Sequence, residues 1–371
     1  MRLTCAKADL IAALSVLARV VERRSTIPIL NYILIERAAD GAALLRGTDL
    51  DMECAARLPL ADGAVDATIA APAHLMHDIA RRLPDKATVT LSIDRPGDDL
   101  TISCGRMKAN IHTLPPDDYP QTPGQKEPAR FDLPAAALAA LFGRSAFAIS
   151  AEETRYYLNG AYLHPAGDHL RAVATDGHRL ARIDVDLPAD AAFAGVIVPR
   201  KACGEIVKLA EAAGKDATVA VAIDASRAGF DFGGVSIVTK TIDGTFPDYA
   251  RVIPTGNGAI ARIDRAALIA AVERVSTIAT ERGRAVKLEF ADGMLRLSAI
   301  DGDVGSAREE IECDFSANPV EIGFNNAYLS EMLRGMAGRE VKVSMADAGA
   351  PTLFEDTSDE TGVFVLMPMR V

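Results

Sequence analysis

The sequence is poor in features that mark several large classes of protein. It has no tryptophan, 5% aromatic residues and no uninterrupted apolar run of the roughly 18 residues that a membrane-spanning helix needs. The apolar stretch from Leu10 to Val21 is interrupted by Arg19, so it predicts an amphipathic helix and not a signal peptide. We therefore expect no membrane span.

Cysteine is scarce, and its spacing is irregular. The chain has five cysteines and no CxxC pair, which predicts the reduced thiols of a cytoplasmic protein and argues against a disulfide framework or a zinc site. Walker, HExxH, GxGxxG and EF-hand patterns are also missing, so neither a cofactor nor a metal ion is expected. The cysteines are Cys5, Cys54, Cys104, Cys203 and Cys313.

What the chain does have is the composition of a folded protein. Its 371 residues are 49% apolar and 25% charged, which is typical of two or three globular domains. The net charge is -11. If this charge were spread evenly over the surface, it would argue against nucleic acid as a partner.

A polar turn at the end of an apolar strand occurs three times. The clearest copy is Ala172-Val-Ala-Thr-Asp-Gly-His-Arg-Leu180, and similar stretches surround Asp49 and Asp301. The three aspartates, with Asp176 in the middle, are spaced by about 125 residues, which is one domain length. This spacing predicts a threefold internal repeat.

Each repeat reads as helix, strands, second helix and further strands. Polar and apolar residues alternate in strands such as 87–93, which predicts antiparallel sheets with one wet face and an α+β fold. Linkers containing Pro and Gly give predicted domains at 1–124, 130–253 and 255–371. The predicted helices are 8–22, 72–82, 134–149, 200–213, 265–278 and 326–336.

Charge is distributed unevenly between these helices and the rest of the chain. With their flanking residues, the helices carry +7, which leaves -18 for the remainder of a chain whose total is -11. One interpretation is that the helices only expose ordinary solvated faces. The other is that all six line one surface that attracts phosphates while the acidic exterior repels them.

Two motifs could be taken for catalytic groups. His178 lies beside Asp176, but no GxSxG serine accompanies it and the other two repeats have no equivalent histidine. The repeated aspartates could bind a metal, yet each belongs to a different repeat, and a turn role explains them better. A three-domain metal-dependent hydrolase remains an alternative, as does a scaffold that binds peptides but not DNA.

Several separated motifs resemble one family, the bacterial DNA sliding clamps, which are the beta subunits of the replicative DNA polymerase III holoenzyme. The most specific are Arg155-Tyr-Tyr-Leu-Asn-Gly160, Ala174-Thr-Asp-Gly-His-Arg-Leu180, Phe246-Pro-Asp-Tyr249 and Val365-Leu-Met-Pro-Met-Arg370. The resemblance covers the whole chain. It implies three clamp domains per chain and a head-to-tail dimeric ring whose hole is lined by the helices.

The resemblance also implies where partners bind. A hydrophobic peptide-binding cleft would be formed by Arg155, Tyr157, Leu158, Thr175, Gly177, His178, Arg179, Leu180, Pro247, Val252, Asn325, Tyr328, Val365, Met367, Pro368, Met369 and Arg370. DNA contacts would come from Arg24, Tyr156, Arg200 and Lys201. The chain departs from the family at Glu152 and Glu153, where a less acidic segment is common, and at Phe364, where Tyr is common.

The implied function is that of a processivity factor and not an enzyme. The ring would encircle duplex DNA, slide without sequence preference, and tether the polymerase catalytic subunit and repair proteins through the cleft. Because the sequence has no nucleotide-binding motif of its own, we expect ring opening to need a separate ATP-dependent clamp loader. A cytoplasmic homodimer is therefore expected.

Overall fold

The computed structural model describes residues 1–95, 97–278 and 285–370. Val371, the last residue of the predicted tail, lies outside these ranges. Chain contacts divide the protein into two compact units, one formed by residues 1–135 and 212–241 and the other by 136–211 and 242–371. Within the described ranges, no helix is long and apolar enough to cross a membrane.

The first repeat contains two α-helices and nine strands. Its helices are α1 (Lys7–Val20) and α2 (Ala73–Arg82). Its strands are β1 (Arg2–Ala6), β2 (Tyr32–Arg37), β3 (Ala43–Thr48), β4 (Met52–Leu58), β5 (Asp62–Ala64), β6 (Ile69–Pro72), β7 (Thr88–Ser92), β8 (Leu100–Cys104) and β9 (Met107–Ile111).

The second repeat follows the same order with fewer strands. Its helices are α3 (Ala135–Gly143) and α4 (Arg200–Ala213). Its strands are β10 (Ala129–Pro134), β11 (Gly160–Ala166), β12 (His169–Thr175), β13 (Arg179–Asp186), β14 (Val196–Pro199), β15 (Thr218–Ile223), β16 (Arg227–Asp231) and β17 (Val235–Lys240).

The third repeat again places one helix early and one late. Its helices are α5 (Arg265–Ser276) and α6 (Asn326–Gly335). Its strands are β18 (Ala259–Asp264), β19 (Ala285–Ala291), β20 (Met294–Asp301), β21 (Gly305–Glu312), β22 (Asp314–Phe315), β23 (Val320–Asn325), β24 (Glu340–Met345), β25 (Thr352–Asp356) and β26 (Gly362–Leu366).

All strand pairs within the described ranges are antiparallel, which confirms the predicted fold class. The first unit holds a five-stranded sheet, β5-β1-β7-β8-β9, and an eight-stranded sheet, β10-β15-β16-β17-β4-β3-β2-β6. The second unit holds a nine-stranded sheet, β14-β11-β12-β13-β26-β25-β24-β18-β22, and a four-stranded sheet, β21-β20-β19-β23. Both large sheets continue across a repeat boundary, through β4 with β17 and through β13 with β26.

The core of the first repeat shows how the helices attach to the sheets. Leu10, Leu14 and Leu17 recur at helical spacing and are fully buried, and α1 packs on α2 and β4. A side chain at Gly47 would place its Cβ 2.7 Å from Val21 Cγ2, so only glycine lets β3 approach the end of α1.

The predicted helices are found, with one difference in length. We predicted 134–149 as one helix, but α3 ends at Gly143 and a 3-10 turn covers Ala146–Ala148. Ser145, which is fully buried, donates its hydroxyl to Leu141 O at 2.6 Å, and this competes with continuation of the helix.

Candidate functional site

The three repeated aspartates close the same kind of turn. In each repeat, the aspartate Oδ1 accepts hydrogen bonds from the backbone N–H groups two and three residues later, at 2.7–3.1 Å. The turn role predicted for Asp49, Asp176 and Asp301 is therefore present in the structure. Among the residues described, no group of three or more His, Cys, Asp or Glu is placed to hold a metal ion.

The central copy of this turn, which belongs to the Ala174–Leu180 motif, has additional hydrogen bonds. Thr175 Oγ1 donates to Arg179 O at 2.8 Å and accepts from Gly177 N at 3.1 Å. Gly177 has φ +88°, a left-handed conformation that favours glycine. His178 is thereby left exposed at the tip, where its carbonyl accepts a hydrogen bond from Met367 N at 2.8 Å.

The C-terminal strand lies directly beside this turn. Strand β26 pairs with β13, with Leu180 opposite Val365, so residues 185 positions apart in sequence become neighbours. Beyond β26, Met369 N donates to Gly323 O at 2.8 Å. The tail is therefore attached by its backbone at both of these points.

An apolar cluster underlies the turn and the tail. Three of the predicted cleft residues, Leu158, Leu180 and Val365, are at most 4% exposed, and Tyr157 packs partly buried against them. The structure thus brings together residues from three separate motifs, and they form the floor of the site. Its other buried members, which were not among the predicted cleft residues, are Val173, Ile197 and Phe246.

Phe246 belongs to the Phe246-Pro-Asp-Tyr249 motif and is held by aromatic stacking. Its ring lies 5.1 Å from the ring of Tyr162 and within 8° of parallel, and Tyr162 stacks in turn on His164 at 4.6 Å. Pro247, which follows Phe246, is exposed. The stack therefore fixes the segment that carries this predicted cleft residue.

A partly buried polar network fixes the other end of the same motif. His164 Nδ1 donates to Pro165 O at 2.9 Å, which leaves Nε2 to accept from the Tyr249 hydroxyl at 3.0 Å. Tyr249 also accepts from Arg171, whose guanidinium forms a bidentate pair with Asp184 at 2.6 and 2.7 Å. Burial lowers the pKa of His164, and this favours the neutral ring that the network requires.

Arg179 connects the turn to α6. Its guanidinium carbon lies 4.2 Å from the centre of the Tyr328 ring, and it pairs with Asp176 at 3.0 Å and with Glu331 at 2.6 Å. Asn325 is the N-cap of α6, where its Oδ1 accepts from the backbone N–H groups of residues 327 and 328. Asn325 therefore orients the helix that presents Tyr328.

Arg155 is also paired within the chain. Its Nε and NH2 groups contact the two carboxylate oxygens of Glu152 at 2.9 and 2.8 Å, and these bonds lower the pKa of Glu152. The third nitrogen, NH1, lies so close to Gly177 that a Cβ there would be 2.6 Å away. Arg155 thus lies at the edge of the central turn.

The remaining predicted cleft residues lie at or near the surface. Val252 is exposed, whereas Met367 and Pro368 are partly buried. Met369 and Arg370 line a cavity of about 680 Å³ together with residues of β20 and β23, including Ile300 and Ile322. The last two described residues of the tail therefore line this cavity.

The four residues predicted to contact DNA are all exposed. They are Arg24, Tyr156, Arg200 and Lys201. Arg200 and Lys201 begin α4, and one guanidinium nitrogen of Arg200 donates to Ile149 O. Arg24 follows α1 in the other compact unit.

A basic groove on the paired helices α1 and α2 was not predicted from the sequence. It is lined by Arg19, Arg23, His74, His77 and Arg81, and His77 Nε2 hydrogen bonds to Ser15 Oγ at 3.1 Å. Burial and the Arg81 charge lower the pKa of His77. The available signal was the spacing of four residues between His77 and Arg81, which places this pair on one face of α2. Arg23 lies beyond the end of α1 at Val20, so no helical spacing rule indicated it.

Comparison with known proteins gives one consistent family along the whole chain. Models described as the N-terminal, central and C-terminal domains of the DNA polymerase III beta subunit match residues 1–123, 132–248 and 250–370. The chain belongs to the DNA polymerase III beta subunit family. Members of this family are the non-catalytic processivity subunits of that polymerase, so the hydrolase alternative is set aside.

Relatives in the beta subunit family match from end to end. The beta sliding clamp of Caulobacter vibrioides (strain NA1000 / CB15N) is 42% identical over 376 residues, and that of Escherichia coli (strain K12) is 30% identical over 371, with both chains fully covered in each case. A sliding clamp structure from Bartonella birtlesii, bound to griselimycin, matches with a TM-score of 0.93, 41% identity and full coverage of both chains. A Pseudomonas aeruginosa clamp, also bound to griselimycin, gives a TM-score of 0.95 at 31% identity, again over both whole chains.

Proposed function

We propose that this chain is a sliding clamp that encircles duplex DNA and tethers the replicative polymerase, the clamp loader and repair proteins to it. The observation that carries the proposal is the convergence of the Leu158, Leu180 and Val365 motifs on one apolar cluster beside the tail. That convergence occurs in a chain whose full length matches the family.

The peptide-binding part of this function is assigned to the surface above that cluster. A braced turn, a stacked loop and a tail fixed by its backbone lie beside that cluster, and fixed apolar surfaces of this kind suit short peptides with a few apolar anchors. Four residues around the cluster would contact those anchors: Pro247 and Val252, which are exposed, and Tyr157 and Met367, which are partly buried. His178, Tyr328 and Arg370 would supply the polar edge.

The DNA-binding part is assigned to the helices. Arg24, Arg200 and Lys201 would contact phosphates, with Tyr156 nearby, and the basic groove of α1 and α2 would add Arg23 and Arg81. Arg23 and Arg81 are both exposed. Lys and Arg that contact phosphates bind without reading sequence, which is what sliding requires.

The domain boundaries 1–124, 130–253 and 255–371 are part of the same proposal. They are supported by the matched ranges of the three family models. We further propose that the chain forms a head-to-tail dimer in the cytoplasm, where bacterial DNA is replicated, and that a separate ATP-dependent loader opens it.

Retention on circular DNA is the direct test of a ring. After loading, the protein should stay on a nicked circular plasmid and be lost when a single cut makes the plasmid linear, because a ring can slide off a free end. Equal retention on both forms would indicate ordinary DNA binding and would overturn the proposal.

The DNA-facing residues are tested by salt dependence. Changing Arg24, Arg200 and Lys201 together to Ala should weaken binding similarly on unrelated sequences and reduce the slope of log affinity against log salt by about three, since each phosphate contact contributes about one. A matched triple change of Lys126, Arg251 and Lys342 to Ala should leave the slope unchanged. If both variants behave alike, the helices are not the DNA-facing surface.

A further inference from the structure

The edge of the proposed cleft contains an acidic residue, Glu152, that contacts one of the predicted cleft residues. Its two carboxylate oxygens are bound by Nε and NH2 of Arg155. Glu152 is 57% exposed and Arg155 is 32% exposed, so the pair lies at the surface and not in the core.

The geometry leaves Arg155 little capacity for a second carboxylate. Nε and NH2, which together make one bidentate face of the guanidinium, are both used by Glu152. NH1 lies against Gly177, where the turn backbone limits approach. A carboxylate on an incoming peptide would therefore have to displace Glu152 or bind beside its charge.

The second guanidinium at this edge is paired in the same way. Arg179 contacts both Asp176 and Glu331, so its charge is already compensated. Arg155 and Arg179 are thus both neutralised by carboxylates of the same chain. Of these carboxylates, Glu152 and Glu331 are substantially exposed, whereas Asp176 is 14% exposed and holds the turn.

We propose that Glu152 determines the charge specificity of the cleft: by occupying Arg155, it makes this edge select peptides that are uncharged near the Arg155 position over peptides that carry a carboxylate there. The inference rests on the proposed function, because it assumes that apolar-anchored peptides bind above the Leu158–Leu180–Val365 cluster. It adds a role for a residue that is not an anchor contact. The partner it favours is an apolar peptide with amide or hydroxyl side chains around its anchors.

Exchange of one carboxylate for another is feasible at this site because the pair is exposed. Surface ion pairs contribute little net stability, so release of Glu152 costs the fold little. The replacement bond would have the same geometry, which means that the peptide carboxylate gains nothing over what Glu152 already provides. Removing the Glu152 charge should turn this neutral exchange into a net gain for acidic peptides.

The test uses the full-length protein, a fluorescent peptide with Leu and Phe anchors and Gln elsewhere, and a series in which each Gln is replaced in turn by Glu. Affinities are measured by fluorescence anisotropy for the unchanged chain, for Glu152→Gln and for Glu153→Gln. Glu153 is the matched control, because it is the adjacent acid and the change removes the same charge without touching the Arg155 pair. Thermal unfolding checks that all three proteins fold alike.

In Glu152→Gln, at least one Glu-containing peptide should bind about three- to five-fold more tightly than to the unchanged chain, while the all-Gln peptide changes less than about two-fold. Glu153→Gln should change every peptide less than about two-fold. The gain should diminish in about 0.5 M salt, as expected for an exposed charge contact.

Two results would overturn the inference, and they are distinguishable from failure of the proposed function. If Glu152→Gln and Glu153→Gln raise the affinity for acidic peptides equally, the gain comes from the loss of one negative charge near the cleft. It then does not come from the release of Arg155. If Glu152→Gln binds all peptides as the unchanged chain does, Arg155 is not part of the binding edge. If no peptide in the series binds the unchanged chain, the cleft assignment itself is wrong.

Discussion

Tyrosines at matching positions of the first two repeats form hydrogen bonds with different partners. Tyr119 closes the first repeat, is 2% exposed, and donates its hydroxyl to Arg46 O at 3.1 Å. Tyr249 occupies the matching position in the second repeat, but its hydroxyl joins His164 and Arg171 instead. The same anchor therefore serves the backbone in one repeat and a titratable network in the other.

That network makes the central repeat sensitive to acid. Because burial lowers the pKa of His164, the folded chain binds a proton there less readily than the unfolded chain. The stability due to neutral His164 is present above its ordinary pKa of 6.5 and is lost as pH falls through the lower, folded-state value. Protonation would also remove the acceptor at Nε2 that Tyr249 uses.

We predict that the free energy of unfolding falls between pH 7.5 and pH 5, and that His164→Gln reduces this fall. Urea denaturation at several pH values measures both. The difference between the two proteins isolates His164 from other groups, including His77, whose lowered pKa acts in the same direction. An identical pH dependence in both proteins would show that His164 does not control it.

Residue-level roles were predictable where local chemistry dictated them. Asp176 and Gly177 were correctly expected in a turn because Asp bonds to following N–H groups and Gly accepts positive φ. The pairing of Arg155 with Glu152 was not predicted, although the two lie three residues apart. The backbone there is irregular, with Arg155 at φ -109° and ψ 50°, so helical spacing rules did not apply.

At the scale of elements, every α-helix described is entered directly from a strand. Strands β1, β6, β10, β14, β18 and β23 each end at the residue before a helix begins. Three of them end in proline, at Pro72, Pro134 and Pro199. The other strong signals are Asp264 and Asn325, whose side chains cap α5 and α6.

None of these six strands was predicted from the sequence, and the strands β5, β9 and β22 were not predicted either. Each of the six has only four to six residues, and no turn residue separates it from its helix, so its pattern merges with the helical one. Proline was interpreted as the first residue of a helix, whereas here it is the last residue of a strand. The helices themselves were predictable because their apolar spacing is regular over two or more turns.

The tail is an element whose removal should separate binding from assembly. It follows β26, which ends at Leu366, and its described contacts are the backbone bonds of Met367 to His178 and of Met369 to Gly323. The nine-stranded sheet does not depend on the tail, because the pairing of β26 with β13 and β25 ends at Leu366.

Deleting residues 367–371 should reduce peptide affinity by at least about ten-fold, because apolar contacts at the cleft are lost. The dimer should persist. Anisotropy measures the first effect and light scattering the second. Unchanged peptide affinity would contradict the cleft assignment, whereas loss of the dimer would mean that the tail belongs to the subunit contact.

At the scale of the whole molecule, the sheets follow one rule of connection. The third strand after the first helix of a repeat pairs with the last strand of the next repeat, as β4 does with β17 and β13 with β26. Strand β21 is the equivalent third strand of the last repeat, and β9 is the last strand of the first. Each is an edge strand of its sheet, with no partner on its outer side among the residues described.

The same rule, applied between two chains, joins β21 of one to β9 of the other. The predicted sheet would have nine strands, four from one chain and five from its partner, like the nine-stranded sheet within one chain. The two edges also differ in charge: β21 carries three glutamates, Glu309, Glu310 and Glu312, against one arginine, Arg308, while β9 carries Lys108 and no acidic residue. The contact is head to tail, so two chains form a closed ring only if the rotation that relates them is a half turn. Any other rotation would extend the contact into a filament.

We therefore predict a dimer of twice the 39.3 kDa chain mass at micromolar concentration, measured by light scattering. Lys108→Glu should shift it toward monomer by placing like charges across the new strand pair, and high salt should partly reverse the shift. Lys215→Glu, the same charge change on an exposed residue just after α4, should leave the dimer intact. A wild-type monomer would refute the ring, and equal effects of the two substitutions would place the subunit contact elsewhere.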